Sequence, residues 1–117
     1  MKKTIFVAYN RTRAREVASM VRVADGPITR AVGLLGRSGM EPGEGLWIVP
    51  CPMIHTWFMR FSIDVLFLDR GLKVLKVLED FRPWRLSPLV PSGHSVLELP
   101  AGALKGSVRE GDLLEIR

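Results

Sequence analysis

Arg60 and Asp64 stand four positions apart in a stretch of this 117-residue chain that is otherwise mostly apolar, with Cys51, His55 and Thr56 just before them. An acid between Ile63 and Val65 has to find a partner, because desolvation of a lone carboxylate is costly. Arg60 is one candidate and backbone N–H groups are another. If residues 55 to 68 run extended, alternation puts Thr56, Phe58, Arg60, Ser62 and Asp64 on one face and His55, Trp57, Met59, Phe61 and Ile63 on the other. Two readings follow. Arg60 and Asp64 form an internal ion pair that sets strand register, or the planar fork of Arg60 offers donors to a carboxylate or phosphate of a small ligand while Asp64 orients it. On the second reading His55, Thr56, Arg60 and Asp64 make a ligand-binding patch. The His55 ring then touches ligand, where the plainer expectation is a hydrogen bond to a backbone carbonyl beside Trp57.

A different chemistry would join Cys51 and His55 as nucleophile and base, or add Asp64 to them as metal ligands in a hydrolytic or metal-assisted enzyme. The pattern argues against it. Cys51 lies between Pro50 and Pro52 with no cation beside it to lower its pKa, and it reads as a small buried apolar residue. With His94 the chain has only two histidines and one cysteine, in no repeated ligand pair, so no metal is expected. Gly102, Gly106 and Gly111 read as turn residues, since neither phosphate-binding glycine pattern occurs, and no cofactor is expected. Glu98, between Leu97 and Leu99, reads as outward-facing or as a cap on the turn that follows, with no chemistry assigned.

The elements that must position these residues are short and turn-bounded. Strands are expected from Lys3 to Tyr9, over Val17 to Val23, from Leu46 to Val49, over His55 to Phe61, in a hairpin from Ile63 to Glu79 turning at Asp69-Arg70-Gly71, from Ser95 to Leu99 and from Leu113 to Ile116. Gly71 is expected to supply a positive φ at the hairpin. One short helix is expected over residues 28–37, with Thr29 as N-cap and Ala31, Val32, Leu34 and Leu35 as its apolar stripe, weakened by Gly33 and Gly36. About eight short strands and one helix suit a small closed or nearly closed β-barrel, with a two-sheet sandwich as the alternative. Trp47, Trp57 and Trp84 fall in different segments and read as core or barrel-mouth residues. Arg82 and Arg85 flank Trp84 in a Pro-bounded loop that could close over one barrel end.

The blocks Cys51-Pro-Met-Ile-His55-Thr56-Trp-Phe-Met59-Arg60-Phe61-Ser-Ile63-Asp64, Arg30-Ala-Val-Gly33-Leu34-Leu35-Gly-Arg37 and Val96-Leu97-Glu98-Leu99-Pro100-Ala101-Gly102, with Gly111-Asp112 downstream, occur in an order that closely resembles the family called domain of unknown function 192. The resemblance covers about residues 28–116. Ser62 stands where that family often has proline, and Leu35 where it often has methionine. The resemblance implies a mostly β, barrel-like single domain and no particular reaction.

Composition bounds the rest. A chain that is 47% hydrophobic and 25% charged, with eleven glycines and eight prolines, buries one core and is neither coiled coil nor disordered. A single domain over residues 1–117 is expected. The formal charge of +5 is uneven, because residues 1–37 carry +6 and residues 38–117 carry −1. Arg11, Arg13 and Arg15, read as a turn between two strands, could meet phosphates and make a nucleic-acid or anionic-surface binder. A solvated hairpin tip is the simpler reading, as no stacking aromatic accompanies them. The apolar run Ile5 to Tyr9 is shorter than a signal peptide requires, and no stretch is apolar enough to span a bilayer. One cysteine fits a reducing compartment. The expectation is a cytoplasmic monomer that binds a small anionic ligand or a protein, with neither nucleic acid nor membrane as partner.

Overall fold

The computed structural model describes residues 3–26, 34 and 36–117. Seven strands occur along the chain: β1 (Phe6–Asn10), β2 (Arg15–Ala24), β3 (Glu44–Ile48), β4 (Ile63–Leu68), β5 (Val74–Phe81), β6 (Ser95–Pro100) and β7 (Leu114–Ile116). They form one sheet in the order β5-β4-β6-β3-β2-β1-β7. The fold is mainly β, and no described residue is helical. The expected helix over 28–37 falls largely on residues 28–33 and 35, outside the described ones.

Hairpins join β1 to β2 and β4 to β5. In the second hairpin the Asp69 carboxylate accepts hydrogen bonds from the amides of Gly71 and Lys73, both at 2.9 Å. This side-chain cap lets Leu72, at φ 68°, take the left-handed conformation expected of Gly71. Leu72 accepts that strain while packing against the larger apolar cluster. One pair is parallel, with Met20 opposite Glu44 and Ala24 opposite Ile48, and residues 25–43 supply the long connection such a pair needs.

The sheet curls into a half-barrel and does not close, which corrects the closed barrel with a helix. Its outer strands β5 and β7 touch only at one end, where Lys73 faces Leu113 in an isolated bridge and the Val74 amide bonds the Asp112 carbonyl at 2.8 Å. Strand β7 has three residues, too few to run alongside the eight of β5. The strand expected over His55 to Phe61 is also absent. The chain turns at Trp57-Phe58, with Phe58 at φ 66°, and only His55 enters a bridge, opposite Leu86.

Two apolar layers result. One draws Ala8, Val21, Leu66, Val74, Leu97 and Leu114 from six different strands, as the shared concave face of a curled sheet must. The other backs β4 and β6 with Val65, Phe67 and Val96 and is covered by Leu34, Ile54, Met59 and Val90 from the loops. Both layers press on β4, whose six residues are all buried, so its sequence shows no apolar-polar alternation. Phe67→Ala is expected to cost about 3 to 5 kcal/mol, the range for a large aromatic removed from a packed core. Denaturant unfolding checks this, and a loss under 1 kcal/mol would mean that the second layer is loosely packed.

Candidate functional site

Asp64 is fully buried on the concave side of β4. It lies opposite a bulge in β5, since Ile63 pairs with Phe81 and Val65 with Leu78, leaving two residues of β5 against one of β4. Asp80, the second of those two, has φ 53°, and its amide donates to Asp64 Oδ1 at 2.9 Å. The other oxygen, Oδ2, accepts from the Leu104 amide at 3.0 Å. Backbone donors therefore satisfy Asp64, while Arg60 is exposed and forms no ion pair with it. The single face expected to hold Thr56, Arg60 and Asp64 is broken by the turn at Trp57-Phe58, which ends the extended run between them.

Thr56 is buried as well and organises a different structure. Its hydroxyl donates to the Arg82 carbonyl at 2.6 Å and accepts from the Arg85 amide at 3.0 Å. Its own amide donates to the Arg85 carbonyl, and its carbonyl accepts from the amides of Trp84 and Met59. Segments 54–58 and 82–87 are thereby clamped together although 26 residues separate Thr56 from Arg82. The clamp sets the Phe58 and Trp84 rings 4.7 Å apart, tilted by 58°, and the His55 and Trp57 rings 4.9 Å apart. Trp57, Phe58, Trp84 and Leu86 are 45, 70, 57 and 56% exposed. Phe58 and Trp84 both hold positive φ, at 66° and 62°. For bulky residues this costs on the order of 1 to 3 kcal/mol each, strain that gathers at functional surfaces.

The result is an outward ledge of aromatic and aliphatic groups with His55, Arg60, Arg82 and Arg85 exposed among them. Of the four patch residues, His55 and Arg60 reach this surface and Thr56 holds backbone beneath it, while Asp64, on the concave face of β4, bonds the amides of Asp80 and Leu104 outside the ledge segments. Trp57 and Trp84 are both exposed in these segments, each against a different ring, His55 for Trp57 and Phe58 for Trp84. Trp47 stays apart, with its indole nitrogen buried and unbonded among the described residues. Residue order carried no signal for this pairing, since it depends on the Thr56 clamp.

Cys51 is half-buried, with Sγ 2.9 Å from the Met53 carbonyl and its amide on the His94 carbonyl. Among the described residues no group of three or more His, Cys, Asp or Glu side chains is placed to hold a metal ion. In the basic turn, Arg13 Nε meets Asp112 Oδ2 at 2.8 Å, while Arg11 and Arg15 are exposed. Burial works to raise the Asp112 pKa, but hydrogen bonds from the Arg109 amide, Asn10 and Arg13 outweigh it and hold the carboxyl below its usual range.

The DUF192 family model, an uncharacterized ACR, matches residues 8–116. The chain belongs to this family. A UPF0127 protein of Pyrococcus abyssi is 35% identical over 116 residues, covering 93% of this chain and 96% of its own length. One from Pyrococcus horikoshii is 37% identical over 95 residues, covering 76% and 78%. Among solved structures, a protein of unknown function from Novosphingobium aromaticivorans has the same fold, with a TM-score of 0.81 at 19% identity over 95% of this chain and 83% of its own. A protein of Sinorhizobium meliloti 1021 gives 0.78 at 24% identity over 99% and 98%.

In this DUF192 chain the Val96-to-Gly102 block holds another buried acid. Glu98 is 4% exposed in β6, between Leu46 of β3 and Val65 of β4, so it faces the second apolar layer and not solvent. This corrects the outward-facing or capping expectation. An acid inside an apolar run, the pattern that singled out Asp64, was the available signal. No described residue donates a hydrogen bond to Glu98, and burial pushes its pKa up to about 7.

Two outcomes follow for the buried acids. Asp64→Asn, which replaces one acceptor oxygen by a donor facing an amide, is expected to cost about 1.5 to 3 kcal/mol, whereas Arg60→Ala stays within about 0.5 kcal/mol of wild type. Equal losses in urea unfolding would restore the ion pair. For Glu98, the folded protein keeps a proton that the unfolded chain, at the ordinary value of 4.5, releases. Its contribution to stability is therefore greatest below pH 4.5 and falls as pH rises to about 7, by on the order of 3 kcal/mol. Glu98→Gln should flatten that fall between pH 5 and pH 8, and an unchanged slope would show that the carboxyl titrates normally.

Proposed function

We propose that this protein is a binding module whose recognition surface is the ledge formed by segments 55–61 and 82–89. His55 and Arg60 contribute to the surface directly, Thr56 positions it from below, and Asp64 fixes the β5 bulge after which segment 82–89 begins. The observation that carries this reading is the juxtaposition of exposed Trp57, Phe58, Trp84 and Leu86 with three exposed arginines in two segments that contain no acid. Contiguous exposed apolar groups of this kind mark interaction sites on soluble proteins, and the arginines select for anionic groups. Cytoplasmic residence belongs to the same proposal and rests on the single cysteine.

The competing surface is the basic turn at Arg11, Arg13 and Arg15. It is less favoured because Arg13 is engaged with Asp112 and no exposed aromatic is paired with the turn in the ring contacts of the described residues. Titration of 15N-labelled protein with dodecyl phosphate below its micelle concentration separates the two. The indole N–H signals of Trp57 and Trp84 are expected to shift, while that of Trp47 and the amides of residues 11–15 stay in place. Dodecyl maltoside and inorganic phosphate should each shift them less, as each lacks one half of the chemistry. Movement confined to residues 11–15, or none, would remove the ledge from consideration.

A further inference from the structure

The ledge has a composition that narrows its partner. Its arginines disfavour a second copy of the chain, since a face carrying Arg60, Arg82 and Arg85 would meet the same charges on its twin. The nearest acid along either segment is Asp80, just before Phe81. Nucleic acid is disfavoured by ring geometry. A base needs a free, flat ring face. Here Phe58 leans against Trp84 at 58° and His55 lies against Trp57 at 32°, so each pair has part of its faces covered from within the protein. Leu86, opposite His55 in the bridge, adds an aliphatic side chain that no base would recognise.

Tryptophan, phenylalanine and leucine projecting together from a rigid support, with arginines around them, suit the boundary between lipid headgroups and acyl chains. Indole rings settle at headgroup level, Phe and Leu reach the apolar region, and arginines pair with anionic phosphates. Rigidity matters because a preordered wedge loses little freedom on insertion. The Thr56 clamp and the left-handed backbone at Phe58 and Trp84 provide it. No described helix is long and apolar enough to cross a membrane, and contact with the surface needs none. We propose that the ledge is a peripheral docking site for an anionic lipid bilayer. This rests on the ledge being a recognition surface, as argued above.

Flotation of the full chain with vesicles of equal phosphatidylglycerol and phosphatidylcholine, against phosphatidylcholine alone, tests it. Binding to the anionic vesicles is expected to be at least tenfold stronger, with a blue shift of tryptophan emission. Arg82→Glu with Arg85→Glu should weaken it by more than tenfold, because each basic residue near such a surface is worth roughly fivefold. Phe58→Ala should weaken it too, while Arg11→Glu should not. Brominated acyl chains should quench the wild-type emission, a readout that needs no variant and so survives any failure of a variant to fold. Unquenched emission, equal affinity for the two vesicle types, or tighter binding of a uridine oligonucleotide would overturn the lipid proposal. If vesicles fail but dodecyl phosphate still shifts Trp57 and Trp84, only the lipid inference falls. If both fail, the ledge is not a recognition surface.

Discussion

The carboxylate of Asp64 is the point on which the positions of several segments depend. Buried in β4, it receives amide hydrogens from Asp80 and Leu104, two residues that belong to different parts of the chain. A bulge in β5 leaves the Asp80 amide without its ladder partner, and the turn after β6 does the same for that of Leu104. One charged group satisfies both, and charge-assisted bonds of this kind are worth more than neutral ones. Phe81 follows the bulge directly and pairs with Ile63, after which the chain passes into the segment that Thr56 captures. The place where Arg82, Trp84 and Arg85 emerge is set by that bulge, and so by Asp64.

Thr56 continues the same logic at the surface. A small buried hydroxyl takes over backbone groups that no sheet partner is present to satisfy, and it leaves the neighbouring aromatic rings with nowhere to go but outward. The ledge is thus made by polar satisfaction beneath it, not by apolar attraction within it. Glu98 shows the contrasting case. It sits one strand away from Asp64, on the opposite face of the sheet, and meets no amide among the described residues, so burial acts on it unopposed and its proton is retained to about pH 7.

Much of the frame was readable from residue order. The strands at Phe6–Asn10, Arg15–Ala24, Glu44–Ile48, Ile63–Leu68, Ser95–Pro100 and Leu114–Ile116 announce themselves through β-branched and apolar runs bounded by Gly, Pro and Asp. Backbone N–H groups were already one of two candidate partners for Asp64. What misled was the stretch from His55 to Phe61, whose composition is that of a strand. A run of aromatic and apolar residues scores as extended whether or not a partner strand exists, and here the hydrogen bonds go to the loop at 82–87. Glu98 was misplaced for a related reason. Strand β6 lies between β3 and β4 with apolar layers on both sides, so alternation could not say which way its one acid points.

Sequence alone determined that this chain is a single, mainly β member of its family and that acids stand inside its apolar strands. These are local properties, written in side-chain branching, turn residues and the spacing of motif blocks. Tertiary structure decided which polar groups are consumed in holding backbone and which remain outside. Asp64 and Thr56 turned inward, His55 and Arg60 stayed exposed, and Trp84 arrived beside Phe58 across 26 positions of chain. Such outcomes depend on where unpaired amides and carbonyls end up once the sheet has curled, and no local pattern of residues encodes that.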